Sequence, residues 1–64
     1  MHWITLANND CINMANVGRV RFGKDDDGRF VELYLIGGNV VGYNDPLVVE
    51  EIENWMIDNA VVLS

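Results

Sequence analysis

Residues 29–36 read RFVELYLI, and this stretch decides the fold because it is the longest strand that the sequence predicts. Side chains of a strand alternate between its two faces. The face that we expect to meet the core carries Val31, Leu33 and Leu35. The opposite face carries Phe30, Glu32, Tyr34 and Ile36. This pattern predicts a sheet that is covered on one side.

Further strands are predicted on both sides of this stretch, joined by turn signals rich in Gly, Asn and Asp. The strands cover residues 2–7, 11–14, 17–22 and 40–43. The turn signals lie at 8–10, 23–28 and 37–39, and the second of them reads GKDDDG. Its closing Asp-Gly pair is typical of a β-hairpin.

The segment from about Pro46 to Asn59 predicts an α-helix, with Asn44 or Asp45 as its cap. The face that should pack on the sheet carries Val48, Ile52, Trp55, Met56 and Asn59. We expect an α+β fold in a single domain, residues 1–64: a small antiparallel β-meander of about five strands covered by one C-terminal α-helix. Residues 61–63 (VVL) either add a last short strand or pack on the core, which we expect to include Phe22 and Trp55.

Length and charge exclude several classes of protein. The chain has 64 residues, half of them hydrophobic, which is enough for a small core. Its net charge of -6 disfavours direct contact with nucleic acid or with an anionic membrane surface. We see no signal peptide and no apolar run that could span a bilayer. The one cysteine, Cys11, is expected to be a small buried hydrophobe, and we expect a cytoplasmic protein.

The residues do not form a catalytic or metal-binding pattern. His2 is the one histidine and Ser64 is the last residue, so no Ser-His-Asp arrangement or zinc site can be assembled. Asp25 to Gly28 has the composition of a calcium loop, but Ile36 stands where the distal Glu is needed. The sequence therefore predicts a binding protein that is not an enzyme and has no cofactor.

Charge is distributed unevenly along the chain. Up to Lys24 there are three basic residues and one acidic residue, whereas the rest holds one basic and nine acidic residues. These acids either keep a small apolar domain soluble or form a surface that contacts a basic partner. The candidate contact residues are Asp25, Asp26, Asp27, Glu32, Tyr34, Glu50, Glu51, Glu53 and Asp58. Tyr34 is either an exposed contact residue or part of a second covered face.

In its size, its acidity and its acidic set at Asp25–Asp27, Glu50, Glu51, Glu53 and Asp58, the chain resembles the small phage-encoded anti-CRISPR proteins. The resemblance implies an inhibitor that docks on a basic nucleic-acid-binding site of a defence complex, such as a CRISPR surveillance complex. It also implies that carboxylates act there as a mimic of DNA phosphates. The site of action would be the cytoplasm of a phage-infected bacterium.

A second pattern is similar to the small flagellar regulatory family FlbD. It consists of Ile4 and Leu6, the pair Ile12-Asn13, Val17 and Val20, and the run from Glu32 to Gly38 before a helix. This resemblance implies a regulatory or structural module of the host cell, which uses its sheet face or an edge strand to bind another protein or itself. Both a monomer and a homodimer are compatible with the sequence.

Overall fold

The computed structural model describes residues 2–59, which form a small α+β fold. Its elements in chain order are β1 (Trp3–Thr5), β2 (Cys11–Asn13), a short 3-10 turn (Met14–Asn16), β3 (Val17–Asp25), β4 (Gly28–Leu35), β5 (Val40–Tyr43) and α1 (Pro46–Asp58). The predicted positions of the strands and the helix therefore match closely. The tail at residues 61–63, for which a strand or core packing was predicted, lies outside the described residues.

The strands form two antiparallel sheets, so the predicted single meander is wrong. β1 and β2 make a two-stranded sheet, and β3, β4 and β5 make a three-stranded sheet in that order. The sheet beneath the helix therefore has fewer strands than the five predicted. The 3-10 turn lies at the break between the two sheets. The Asn13 side chain accepts a hydrogen bond from Ala15 N at the start of this turn, and Met14 N donates to His2 O on the neighbouring segment.

The hairpin between β3 and β4 is tighter than predicted. The expected loop at 23–28 is wrong, because pairing continues through Lys24 and Arg29 to Asp25 and Gly28. Gly23 makes this possible, since the ring of Phe30 lies directly over it. The chain reverses at residues 26–27, and Gly28 follows with a φ of 118°, which suits glycine.

The core lies between the three-stranded sheet and the helix. Val31 and Leu33 are fully buried, as predicted, whereas Leu35 on the same strand is half-buried. The core cluster consists of Leu6, Val31, Leu33, Val48, Val49 and Ile52. Phe22, Tyr43 and Met56 pack against it and are partly buried.

The helix begins where the sequence predicts, and Asp45 is its N-cap: the side chain accepts a hydrogen bond from Leu47 N at 2.9 Å. Its buried face differs from the predicted one. Val49 is 1% exposed, whereas Trp55 is half-buried and lies outside the core cluster. Relative to the predicted face, the buried face of the helix is shifted so that it includes Val49 as well as Val48. The expectation that Cys11 is buried is also wrong, because β2 is at the surface and this thiol is exposed, 3.5 Å from Thr5 Oγ1.

Candidate partner-binding surfaces

The hairpin tip (Asp25, Asp26 and Asp27) projects from the end of the three-stranded sheet, and all three residues are exposed. Asp25 Oδ1 accepts a hydrogen bond from Asp27 N at 2.9 Å, so this carboxylate stabilises the turn. Among the residues described, Asp26 and Asp27 form no ion pair. The tip therefore leaves two carboxylates exposed to solvent and uses the third to stabilise its own turn.

The acidic residues of the helix divide into two kinds. Glu51 Oε1 accepts a hydrogen bond from Ala7 N at 2.9 Å, and Glu53 forms an ion pair with Arg29 at 2.8 Å. These two carboxylates therefore join the helix to other parts of the fold. Glu50 and Asp58 are exposed, and within residues 2–59 neither has a cation at ion-pair distance.

The remaining two candidates, Glu32 and Tyr34, lie on the side of the sheet that faces away from the helix. Arg21 Nη1 donates to Glu32 Oε1 at 2.6 Å, and Tyr34 Oη donates to the same oxygen at 3.0 Å. The hydrogen bond from Arg21 is the main effect that lowers the pKa of the Glu32 carboxyl below its usual value, and the hydrogen bond from Tyr34 lowers it further. The guanidinium of Arg19 lies 4.8 Å from the centre of the Tyr34 ring.

The structure thus distributes the candidate residues over separate surfaces rather than one. The hairpin tip is the first of these surfaces. The second is the side of the sheet that faces away from the helix, and we name it the outer sheet face; it consists of Arg19, Arg21, Phe30, Glu32, Tyr34 and Val40. It has two arginines and one glutamate, so its charge is opposite in sign to that of the whole chain. Tyr34 is half-buried among these neighbours, and Val40 is 52% exposed.

A third surface is the outward helix face, which consists of Leu47, Glu50, Asn54, Ile57 and Asp58. Its apolar members were missed as site residues in the sequence. A signal for them was present in the sequence. Leu47 and Ile57 fall outside the predicted apolar stripe, and an apolar residue on a helix surface that does not face the core is exposed. The arginines of the outer sheet face were also missed, although the alternation in residues 17–22 placed them opposite the core.

A polar contact and a cleft occur where the two sheets meet. Tyr43 Oη donates to Asp10 Oδ2 at 2.8 Å. Burial, with a contribution from Asp10, raises the pKa of Tyr43 from 10.0 to about 12. The adjoining cleft has a volume of about 380 Å³, and its lining includes Trp3, Ile12, Leu35 and Val41. The same lining also includes polar side chains, those of Asp10, Cys11, Asn13, Asn16 and Tyr43.

Between residues 2 and 59, no group of three or more His, Cys, Asp or Glu side chains could hold a metal ion. The helix found in this range is too short and too polar to cross a membrane. Comparison with protein-family models, with curated proteins and with solved structures finds no match to this chain.

Proposed function

We propose that this protein acts by binding, and that it docks through carboxylates on a basic site of a larger protein complex. The observation that carries the proposal is a set of exposed carboxylates without an ion-pair partner in residues 2–59. The set consists of Asp26, Asp27, Glu50 and Asp58. These side chains do not hold the fold together, so they are free to pair with lysine or arginine on another molecule.

The net charge supports the same proposal. A chain with a charge of -6 is attracted to a basic surface over distances of about 10 Å at moderate salt, which speeds association. The basic grooves that hold nucleic acid are suitable targets. We therefore propose an inhibitor of the anti-CRISPR type, which occupies the nucleic-acid-binding site of a CRISPR surveillance complex in an infected bacterial cell. Its carboxylates would stand in for phosphates.

The test is competition with DNA on purified surveillance complexes. Wild-type protein should displace a labelled target duplex, and its apparent affinity should fall as salt is raised. The double variant Glu50→Gln, Asp58→Asn should bind at least about 30-fold more weakly, since each of the two lost charge-assisted bonds is worth at least about 1 kcal/mol and about 1.4 kcal/mol is a factor of ten.

A matched control removes two other carboxylates from the same helix. The variant Glu51→Gln, Glu53→Gln has the same net charge as the first variant but loses contacts within the fold. It should be less stable, and at temperatures where it remains folded it should bind more tightly than the first variant. Equal binding by wild type and Glu50→Gln, Asp58→Asn would contradict docking through the free carboxylates of the helix.

The outer sheet face favours a second candidate function, that of a regulatory or structural module resembling FlbD. Its arginines and aromatic rings are held by mutual contacts, and residues of these types are common at the centres of protein interfaces. Binding through this face should tolerate salt and should be lost in Tyr34→Ala. The variant Glu50→Gln, Asp58→Asn should leave it unchanged.

A further inference from the structure

The outward helix face combines apolar and acidic side chains. Leu47 is 62% exposed and Ile57 is 58% exposed. At about 100° per residue, Leu47, Glu50, Asn54, Ile57 and Asp58 fall within an arc of about 100°. The opposite side of the helix carries the buried Val48, Val49 and Ile52. The outward face is therefore a continuous stripe and not a scatter of unrelated side chains.

The two apolar residues of this stripe do not contribute to the core. The core cluster contains neither Leu47 nor Ile57, and no described residue covers them. They are ten positions apart, which places them about 15 Å apart along the helix axis at about 1.5 Å per residue. Helices that insert into grooves of other proteins do so through apolar residues on one exposed face.

We propose that the outward helix face inserts into a groove of a partner protein, and that this groove has an apolar floor and a basic rim. Leu47 and Ile57 are the anchors on the floor. Glu50, between them, and Asp58, at the end of the helix, pair with lysine or arginine on the rim. The inference rests on the proposed function and specifies the partner's chemistry. A site that holds only phosphates is hydrated and basic, and it would gain nothing from a buried leucine and isoleucine.

Charge decides against two other occupants of this face. A second copy of the chain, packed helix against helix, would bring together two faces that each carry Glu50 and Asp58 and no basic residue. Such like-charge contacts are destabilising. An anionic membrane surface repels the same carboxylates. A groove with a basic rim is the occupant that complements both the acidic and the apolar side chains.

The test uses two synthetic probes, an amphipathic leucine–lysine peptide and an oligolysine of the same charge. The first supplies an apolar stripe bordered by cations, and the second supplies cations alone. Each is titrated into isotope-labelled protein and followed by NMR. We expect the leucine–lysine peptide to bind about tenfold more tightly and to shift the amide signals of residues 47–58, because burial of one aliphatic side chain is worth about 1.5 kcal/mol or more.

Truncation variants give this test its specificity. Leu47→Ala and Ile57→Ala keep a good helix former at exposed positions, so both should fold. Each should weaken the leucine–lysine peptide by about tenfold and leave oligolysine binding unchanged. Val40→Ala, which removes an exposed apolar side chain from the outer sheet face, is the matched control and should change neither affinity.

The other outcomes separate this inference from the proposed function. Equal affinity for both probes, or shifts confined to the hairpin tip or the outer sheet face, would overturn the mixed groove and leave carboxylate docking intact. Binding of neither probe would overturn both. Self-association in sedimentation experiments that Leu47→Ala abolishes would show that a second copy occupies the face. In a further outcome, the protein prefers the leucine–lysine peptide but fails to displace DNA from surveillance complexes. That result would overturn only the identity of the target.

Discussion

Arg29, at the start of β4, is bound to Glu53, in the middle of α1, by two hydrogen bonds. Arg29 Nη2 donates to Glu53 Oε2 at 2.8 Å, and Nη1 donates to Oε1 at 3.4 Å. Paired bonds between a guanidinium and a carboxylate restrict geometry as well as adding energy. The contact therefore fixes where the helix crosses the sheet near the hairpin tip.

We expect Glu53→Gln to lower the stability of the fold and Glu50→Gln to leave it nearly unchanged. Both substitutions remove one charge from the same helix, but only Glu53 has a cation at ion-pair distance among the described residues. Urea denaturation followed by circular dichroism measures the difference. Identical denaturation midpoints for the two variants would show that the Arg29 contact does not stabilise the protein.

Leu33→Ala should destabilise the protein by about 2–5 kcal/mol, because it leaves a cavity at a fully buried position. A domain of this size has little stability to lose, so we expect most of the variant to be unfolded at 37 °C. Val40→Ala, on the exposed side of the same sheet, should change stability by less than about 0.5 kcal/mol. Thermal melting of the pair checks both expectations. A folded Leu33→Ala variant with a wild-type melting temperature would contradict the assignment of the core.

Gly23→Ala should destabilise the β3–β4 hairpin by about 1 kcal/mol. A Cβ at this position would overlap the Phe30 ring, so the ring has to move aside and leave its contact with Arg21. Gly37→Ala is a control, because its Cβ would meet no atom within 4 Å.

A double-mutant cycle shows whether the Phe30 ring causes the loss of stability in Gly23→Ala. In a Phe30→Ala background, Gly23→Ala should no longer destabilise, since the clash has been removed. A cost that is the same in both backgrounds would mean that another neighbour limits the space at Gly23. Chemical denaturation of the four proteins completes the cycle.

Tyr43 should make stability depend on pH in the alkaline range. Its pKa in the folded protein is about 12, above the ordinary value of 10.0, so the folded state favours the neutral phenol. Its contribution is fully present below pH 10 and is lost as the pH rises through 12. Tyr43→Phe should lack this dependence. Ultraviolet absorbance of the phenolate in wild type and variant measures the titration, and ionisation of Tyr43 near pH 10 would contradict the burial described.

The local features of this fold are readable from the sequence, and the assembly of its strands is not. Alternation identified Val31 and Leu33 as core residues, and the Asp45-Pro46 pair marked the start of the helix. Strand pairing depends on contacts between distant residues. The Asn13 side chain caps the 3-10 turn that stands between β2 and β3, and no periodic pattern signals such a bond.

The candidate surfaces show the same limit. Composition identified the acidic residues but could not say which of them bind within the fold. The register of β3 and β4 determines that Arg21 lies opposite Glu32, and the angle of the helix determines that Glu53 reaches Arg29. Within residues 2–59, Glu50 and Asp58 differ from these because they are exposed and have no cation at ion-pair distance. Tertiary structure is therefore needed to tell a free carboxylate from a structural one.

The attachment of the N-terminal hairpin has a consequence for the order of folding. Within residues 2–59, every strand pair joins neighbours in the chain, whereas Glu51 reaches Ala7 across 44 residues and Tyr43 reaches Asp10 across 33. Contacts between distant residues carry a larger loop-closure cost, so local hairpins should form before these bonds do. Stopped-flow measurements on Glu51→Ala, which removes the acceptor of the bond from Ala7 N, should therefore show faster unfolding and an almost unchanged folding rate. The β1–β2 hairpin would then be the last element to pack on the rest of the fold during folding, and the first to detach from it during unfolding.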